Sequence, residues 1–441
     1  MNYQIPRSTF RDLYNNYRFI SGGNSGFLNN KIHQIANADK AGKFFAMSSQ
    51  FAEYGRLLGD DRKIVYHLSG YGLTREEAMI RLIGEAIERY SVIHCGEVLK
   101  KKFACHSYNN LHDMNANAVA LEYLNVIDGP HSEGVIGGDD LIGWFKCIDL
   151  FSRGSIYVPA QMFSLKYFPS FYSNITKEKK VFYSISTGTA SHTSQKKALL
   201  NGLVEYLQID SFMLFWYSDK FKAKRVILDD YMTRFLQKNN LMPEDAELII
   251  LDFTFDKPIS VFGFFIIRDH YPILTFGVQG GADPYHTLYR GLLEAFSIYR
   301  YNYVVPVLEQ DVFTLAHDDR NEFTDLDTNV VYWASEKDID KKLTYVYDKI
   351  EGTIPIESMK QDSYSDETVM KKILNYCRKN NFHIATLDVT APELEYTDWS
   401  TIRVIIPELL PMCIPAIPFN NHPRMKEFGG GVHDYIPHPL P

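Results

Sequence analysis

The chain has 441 residues, 45% of them hydrophobic and 23% charged, with a formal net charge of −8 and five cysteines. That length holds one large domain or two or three lobes, and an aromatic share of 14% can fill a sizeable core. The acidic balance argues against nucleic-acid binding, the lack of a long apolar run against membrane insertion, and the scattered, odd cysteines against a disulfide framework or a four-cysteine zinc site, so a reducing cytoplasm is the expected location.

Taken in chain order, the first strong element is "TREEAMIRLIGEAIERYS" from Thr74, a helix with a capping box between Thr74 and Glu77. The lysines at Lys100–Lys102 read as solvated surface. Next, "GWFKCIDLFSRGSIYVPA" reads as a hairpin turning near Arg153–Gly154. The run Lys177–Lys180 again reads as surface. A second helix, "SQKKALLNGLVEYLQIDSF", starts from Ser194. A third, "DPYHTLYRGLLEAFSIYRY", starts from Asp283 with Pro284 in the first turn, where its missing N–H costs nothing. The stretch "SYSDETVMKKILNYCRKNNF" predicts an amphipathic helix through Val369, Ile373, Leu374 and Cys377. The chain ends in "HDYIPHPLP", a tail stiffened by Pro437, Pro439 and Pro441. Taken alone, such a tail is a frayed end or a pre-extended segment that docks at little entropic cost.

The three long helices share one template. Each carries a glutamate eleven positions after its cap: Glu85, Glu205 and Glu294. Four residues earlier stand Arg81, Asn201 and Arg290, and three residues later stand Glu88, Gln208 and Ser297. Such offsets share a helix face, so each helix has a polar stripe on an otherwise apolar surface. Each also follows a glycine- or hydroxyl-rich stretch that reads as a loop able to bring backbone amides to an anion. For Glu85 alone, the other explanation is an exposed helix stapled by the pairs Arg81–Glu85 and Glu85–Arg89. That explains the second helix poorly, because Glu205 has no cation four residues away on either side. Three matched stripes instead imply a shared interior site. Carboxylates converging there need a divalent cation, and oxygen ligands suit Mg²⁺, which usually arrives with phosphates. The expectation is a nucleotide–Mg²⁺ site without a Walker A loop.

These residues resemble the YcaO superfamily. "SGYGLTREEAMIRLIGEAIERYS" is similar to its first signature, SxxExxER, here Leu82, Glu85, Glu88 and Arg89. "STGTASHTSQKKALLNGLVEYLQID" is similar to the second. Further similar segments are Trp144–Gln161, Leu251–Phe265 and Thr401–Met412. The resemblance implies an α+β YcaO-type fold, with mixed β-sheets and helices around an ATP/Mg²⁺ site. It implies an N-terminal segment at 1–68 packed on a YcaO domain at 69–441, with a less family-like, peripheral elaboration at about 307–379. It assigns Glu85, Glu88, Arg89, Ser186, Glu205, Gln208 and Arg290 to ATP, and Glu85, Glu88, Glu205, Gln208 and Glu294 to Mg²⁺.

In the azoline-forming branch, a Cys, Ser or Thr side chain of a ribosomal precursor peptide attacks the preceding amide carbonyl. ATP phosphorylates the resulting oxyanion, and phosphate leaves as the ring dehydrates. That branch typically ends in PxPxP, which "PHPLP" matches, so the resemblance implies a tail that folds back and orders the active site through Pro437, Pro439 and Pro441. Little precedes Ser69, so a separate E1-like (ThiF-like) leader-binding partner is expected. An FMN-dependent dehydrogenase in the same complex would complete azoline to azole. Homodimerisation stays open. So do two other readings: thioamide or amidine formation on the same fold, and a non-catalytic scaffold. The chain departs from the family pattern at Leu82 for serine, Tyr71 in "SGYG", Thr187 in "STG" and Gln208 in "QID".

Overall fold

The computed structural model describes residues 7–22, 26–29, 31–35, 44–52, 67–165, 167, 178–242, 244–308, 320–360, 364–430 and 436–441. Among these residues, three sheets stand apart from the helices that cover them, which is the expected α+β class. The first sheet is antiparallel, in the order β1 (His33–Ile35), β2 (Phe45–Gln50), β3 (His67–Gly72). The largest contains β4 (Phe103–His106), β5 (Ile142–Asp149), β6 (Ser155–Pro159), β7 (Thr189–His192), β13 (Ala385–Asp388) and β14 (Ser400–Ile405). Its order is β4-β5-β13-β14-β7, with β6 also on β5. The remaining sheet has the order β11-β10-β9-β8-β12, from β8 (Ala223–Ile227), β9 (Glu247–Asp252), β10 (Ser260–Ile267), β11 (Leu274–Gly281) and β12 (Ile350–Pro355). The predicted hairpin is β5–β6, and Arg153 adopts the left-handed conformation at its turn.

The principal helices are α1 (Arg7–Ile20), α2 (Arg75–Leu99), α3 (Gln195–Tyr217), α4 (Pro284–Leu308), α5 (Thr328–Ala334) and α6 (Asp366–Lys379). The three templated segments are α2, α3 and α4. The stretches before them are not free loops, as expected from their composition, but strands. In each case a strand ends, two residues turn, and the helix begins: β3 to α2, β7 to α3, β11 to α4. Small residues there serve close packing. A Cβ on Gly70 of β3 would lie 2.0 Å from the Ala78 carbonyl oxygen of α2. Gly188, just before β7, has φ +84° and leaves no room for a Cβ against the Val404 carbonyl.

Each of these strands lies at the end of its sheet. The three units also interlock. Helix α2 packs on its own β3 and on β7, α3 on β7 and on β11, and α4 on β11 and on β3. The polar stripes thereby face a common interior region. Helix α3 is central, and every residue from Tyr206 to Tyr217 is buried. Caps differ in detail from expectation. Thr74 accepts the Glu77 amide at 3.1 Å, but Glu77 returns to the Leu73 amide at 3.0 Å rather than to its own cap. Ser194 makes no side-chain cap, whereas Asp283 accepts the Tyr285 amide at 2.9 Å.

The described residues of 307–379 include parts built into the main body. Strand β12 pairs in parallel with β8, and all seven residues of α5 are buried. Helix α6 forms as predicted, capped by Ser365 and buried through Val369, Ile373 and Cys377, while Leu374 is half-buried. Among the described residues, no helix is long and apolar enough to cross a membrane. Cys105, Cys147, Cys377 and Cys413 are unbonded.

Candidate active site

Glu85, Glu88 and Arg89 of α2, Glu205 of α3, and Arg290 and Glu294 of α4 are each partly open to solvent, while the positions flanking them in the helices are mostly buried. The pairing that would have made Glu85 a surface staple does not form with Arg81. Arg81 turns to Glu77, at 2.6 Å. Glu85 instead accepts the Ser69 backbone amide of β3 at 2.7 Å, with the Ser69 hydroxyl at 3.5 Å. Arg89 pairs with Glu88 at 2.8 Å.

These acids hold their protons more tightly than ordinary glutamates. Burial raises Glu85, against the pull of Arg89 and the Ser69 bonds. Burial pushes Glu88 up to about 7, with Arg89 opposing and Glu85 adding to the rise. Glu205 is pushed up to about 8 by burial and then by Glu88, and Glu294 up to about 8 by burial in spite of Arg290 and Arg81. Arg290 is itself lowered, first by burial and then by the like charge of Arg81. Nε of Arg290 and Nη1 of Arg81 are buried without a hydrogen-bond partner. Two neighbouring guanidinium groups with spare N–H groups suit a phosphate.

Among the described residues, no three His, Cys, Asp or Glu side chains gather into a ready-made metal cage. Mg²⁺ bound with a nucleotide does not require one, since one or two carboxylates and the phosphates complete its sphere. The residues therefore fit an Mg²⁺–nucleotide better than a bare ion. Protonated acids must ionise to hold a cation, so binding should release protons. Between the ordinary glutamate value of 4.5 and about 8, these glutamates bind more protons in the folded chain than in the unfolded one. Their contribution to ligand-free stability therefore falls as pH rises through that window and levels off above it. Calorimetry of Mg²⁺–ATP binding in two buffers of different ionisation heat should show net proton release at pH 7 that fades by pH 9. Equal heats in both buffers at pH 7 would contradict the raised values.

Other predicted residues serve differently. Gln208 is buried, and both ends of its amide are engaged by β11: Oε1 accepts the Gly280 amide at 2.7 Å and Nε2 donates to the Val278 carbonyl at 3.1 Å. It holds the strand that feeds α4. Ser186 is buried in the turn before β7, where its carbonyl accepts the Thr189 amide at 2.8 Å. Pro437 and Pro439 are buried and Pro441 is exposed, so the described tail is docked, not frayed.

Two residues were not assigned to the site by the sequence reading. Arg403 of β14 is buried and donates to the Thr187 carbonyl, the Thr189 and Ser184 hydroxyls and the Ile185 carbonyl, all at 2.7–2.8 Å. It shapes the Ser186 turn, and its charge also favours ionised Glu88 and Glu205. A lone cation inside the apolar run "TIRVII" was the available signal, because a buried charge needs partners. Tyr71 is the other. The Arg81 guanidinium lies 5.0 Å from its ring centre, and burial followed by Glu294 raises its hydroxyl. A separate open pocket near the β9–β10 turn, lined by Lys222, Asp252 and Ser260 among others, shares none of these side chains.

A family model described as YcaO cyclodehydratase, ATP- and Mg²⁺-binding, matches residues 69–410. Among solved structures, a heterocyclase in complex with substrate and cofactor superposes with a TM-score of 0.67 at 17% identity, covering 90% of this chain and 52% of that one. The chain thus spans about half the length of that heterocyclase. YcaO from Methanopyrus kandleri bound with AMPPCP and Mg²⁺ gives 0.63 at 14% identity, covering 99% and 96%. The E. coli microcin synthetase McbBCD complex gives 0.61 at 13% identity, covering 92% and 96%. No curated protein matches.

Proposed function

This chain belongs to the YcaO family, and we propose that it is an ATP- and Mg²⁺-dependent cyclodehydratase that turns Cys, Ser or Thr residues of a ribosomal precursor peptide into thiazolines and (methyl)oxazolines. The interior cluster carries this proposal. Four glutamates with raised proton affinity influence one another across α2, α3 and α4, and Arg81 and Arg290 beside Glu294 keep buried N–H donors without a hydrogen-bond partner, an arrangement suited to a phosphate-bound cation.

In this reading Glu85, Glu88, Glu205 and Glu294 offer carboxylates to Mg²⁺. Arg89 and Arg290, joined by Arg81, receive the phosphates, and Ser186 borders them. Gln208 fixes β11 beneath. Bound ATP–Mg²⁺ supplies the phosphoryl group that makes an amide oxygen a leaving group. The protein's share is positioning and charge neutralisation, since phosphoryl transfer needs little covalent help. The nucleophile belongs to the peptide: its thiol or hydroxyl gives up its proton as the sulfur or oxygen bonds to the preceding carbonyl carbon. The former carbonyl oxygen leaves with phosphate, and the amide nitrogen gives up its proton. Each ring costs the peptide one water. Pro437, Pro439 and Pro441 would order the site through α3. The proposed partners are an E1-like leader-binding protein and an FMN-dependent dehydrogenase, in the cytoplasm. The likeness to the McbBCD complex, also solved with pro-MccB17 bound, supports a multi-protein setting.

Intact mass spectrometry tests the proposal. A candidate precursor with a Cys/Ser/Thr-rich core is incubated with this chain, its E1-like partner, ATP and Mg²⁺. Whole-water losses that need ATP, and that vanish when the core Cys, Ser and Thr are replaced by Ala, are expected. Mass changes that persist after that replacement would point to thioamide or amidine formation. Absence of ATP binding would leave only a scaffold.

A further inference from the structure

The tail lies in a groove that donates to it. Nε1 of Trp216 on α3 donates to the Ile436 carbonyl at 2.8 Å. Nε1 of Trp333 on α5 donates to the Pro437 carbonyl at 2.6 Å. Nδ2 of Asn329 on α5 serves two carbonyls, His438 at 2.6 Å and Leu440 at 2.9 Å. All three donors are buried. On the other side, Pro437, Pro439 and Pro441 have no N–H, so this segment offers a row of carbonyls and few donors that need partners.

We propose that Trp216, Asn329 and Trp333 form a receptor for an extended, N–H-poor carboxy-terminal peptide, and that they act as positioning residues for the active site. Pairing is complementary in kind: these three side chains donate N–H groups, and the tail's backbone carbonyls accept them. If the tail leaves, buried indole and amide donors lose their partners, a cost that holds the tail in place.

The same tail reaches the nucleotide side through packed rings. Burial pushes His438 down to about 4, so its imidazole is neutral, and Nε2 donates to the Cys413 carbonyl at 2.9 Å. Its ring meets Phe212 edge-on at 5.7 Å, one helical turn beyond Gln208. Phe212 stacks on Phe276 of β11 at 5.1 Å. Strand β11 is the one that Gln208 clasps and that leads into α4 with Arg290 and Glu294. A docked tail therefore presses on the layer that sets the spacing of α3 and α4.

That this positioning serves turnover rests on the cyclodehydratase reading; the receptor itself does not. Full-length wild type, Asn329→Asp and Trp333→Phe are exposed to carboxypeptidase Y under native conditions and followed by intact mass. Wild type should lose little beyond the exposed Pro441. Each variant should shed Leu440 and the residues before it about tenfold faster or more, while the melting transition stays cooperative. Release at the wild-type rate in a folded variant overturns the receptor. If Asn329→Asp does not fold, Trp333→Phe decides, since it removes the indole N–H and keeps an aromatic ring in place. The mass-loss assay on the same samples should show a lower kcat with KM little changed. A released tail with unchanged kcat would keep the receptor and refute the link to catalysis.

Discussion

Replacing Glu205 by Gln is expected to lower ATP-dependent cyclodehydration by roughly 10²–10³-fold, the range seen when a preorganised electrostatic partner is removed. It is also expected to make the ligand-free chain more stable at pH 8. The two effects share one cause. Glu205 is pushed up to about 8 by burial and by Glu88, so ionising it works against the fold. Gln keeps the shape and removes that penalty, but it cannot neutralise a cation. Glu85→Gln should behave alike in turnover, with a smaller gain in stability because the Ser69 amide already stabilises the charged form. Turnover comes from the peptide mass assay and stability from thermal melts of ligand-free protein. A variant that keeps full turnover would remove Glu205 from the site. A variant that loses turnover and also melts lower would show the residue to be structural.

What could be read from the sequence was what local chemistry encodes. Caps and helical periodicity located α2, α3 and α4, and because cap-to-glutamate spacing is a one-dimensional quantity, the shared stripe was visible before any fold. The β5–β6 hairpin and α6 followed for the same reason. Strands β3, β7 and β11 were misread as loops. Their glycine and hydroxyl content resembles turn chemistry, yet Gly70 is small because a helix carbonyl crosses beside it. Whether glycine marks a turn or a close approach depends on what packs against it, and that partner lies outside the window. Arg403 and the tail receptor were hidden likewise. Each joins segments more than a hundred residues apart, Arg403 to Ser184 and Asn329 to Leu440.

Helix α3 carries a second carboxylate, five residues after Glu205, and it has the opposite character. Asp210 is fully buried, yet its proton affinity is lowered. Burial opposes ionisation, but Arg424 and Lys257 outweigh it. Arg424 Nε reaches both carboxylate oxygens at 2.7 and 2.9 Å, Lys257 stands at 2.8 Å, and the Leu410 amide donates at 2.8 Å. One side chain thus ties α3 to the β9–β10 turn and to the chain approaching the C-terminus. Asp210→Ala leaves two buried cations with only Asp256 to share, so it should cost about 3–5 kcal/mol of stability, read as a shifted denaturant midpoint. The pH dependence should also oppose that of the glutamate cluster. The Asp210 contribution is complete above the ordinary aspartate range and is lost as pH falls through its lowered value. Two acids on one helix therefore separate by sign. The paired one is spent on the fold, and its loss should lower stability. The one left short of partners is held for a ligand, and its loss should raise stability and cut turnover. If Asp210→Ala unfolds at the wild-type denaturant midpoint, that division fails, and with it the use of pairing to tell structural from functional carboxylates in this chain.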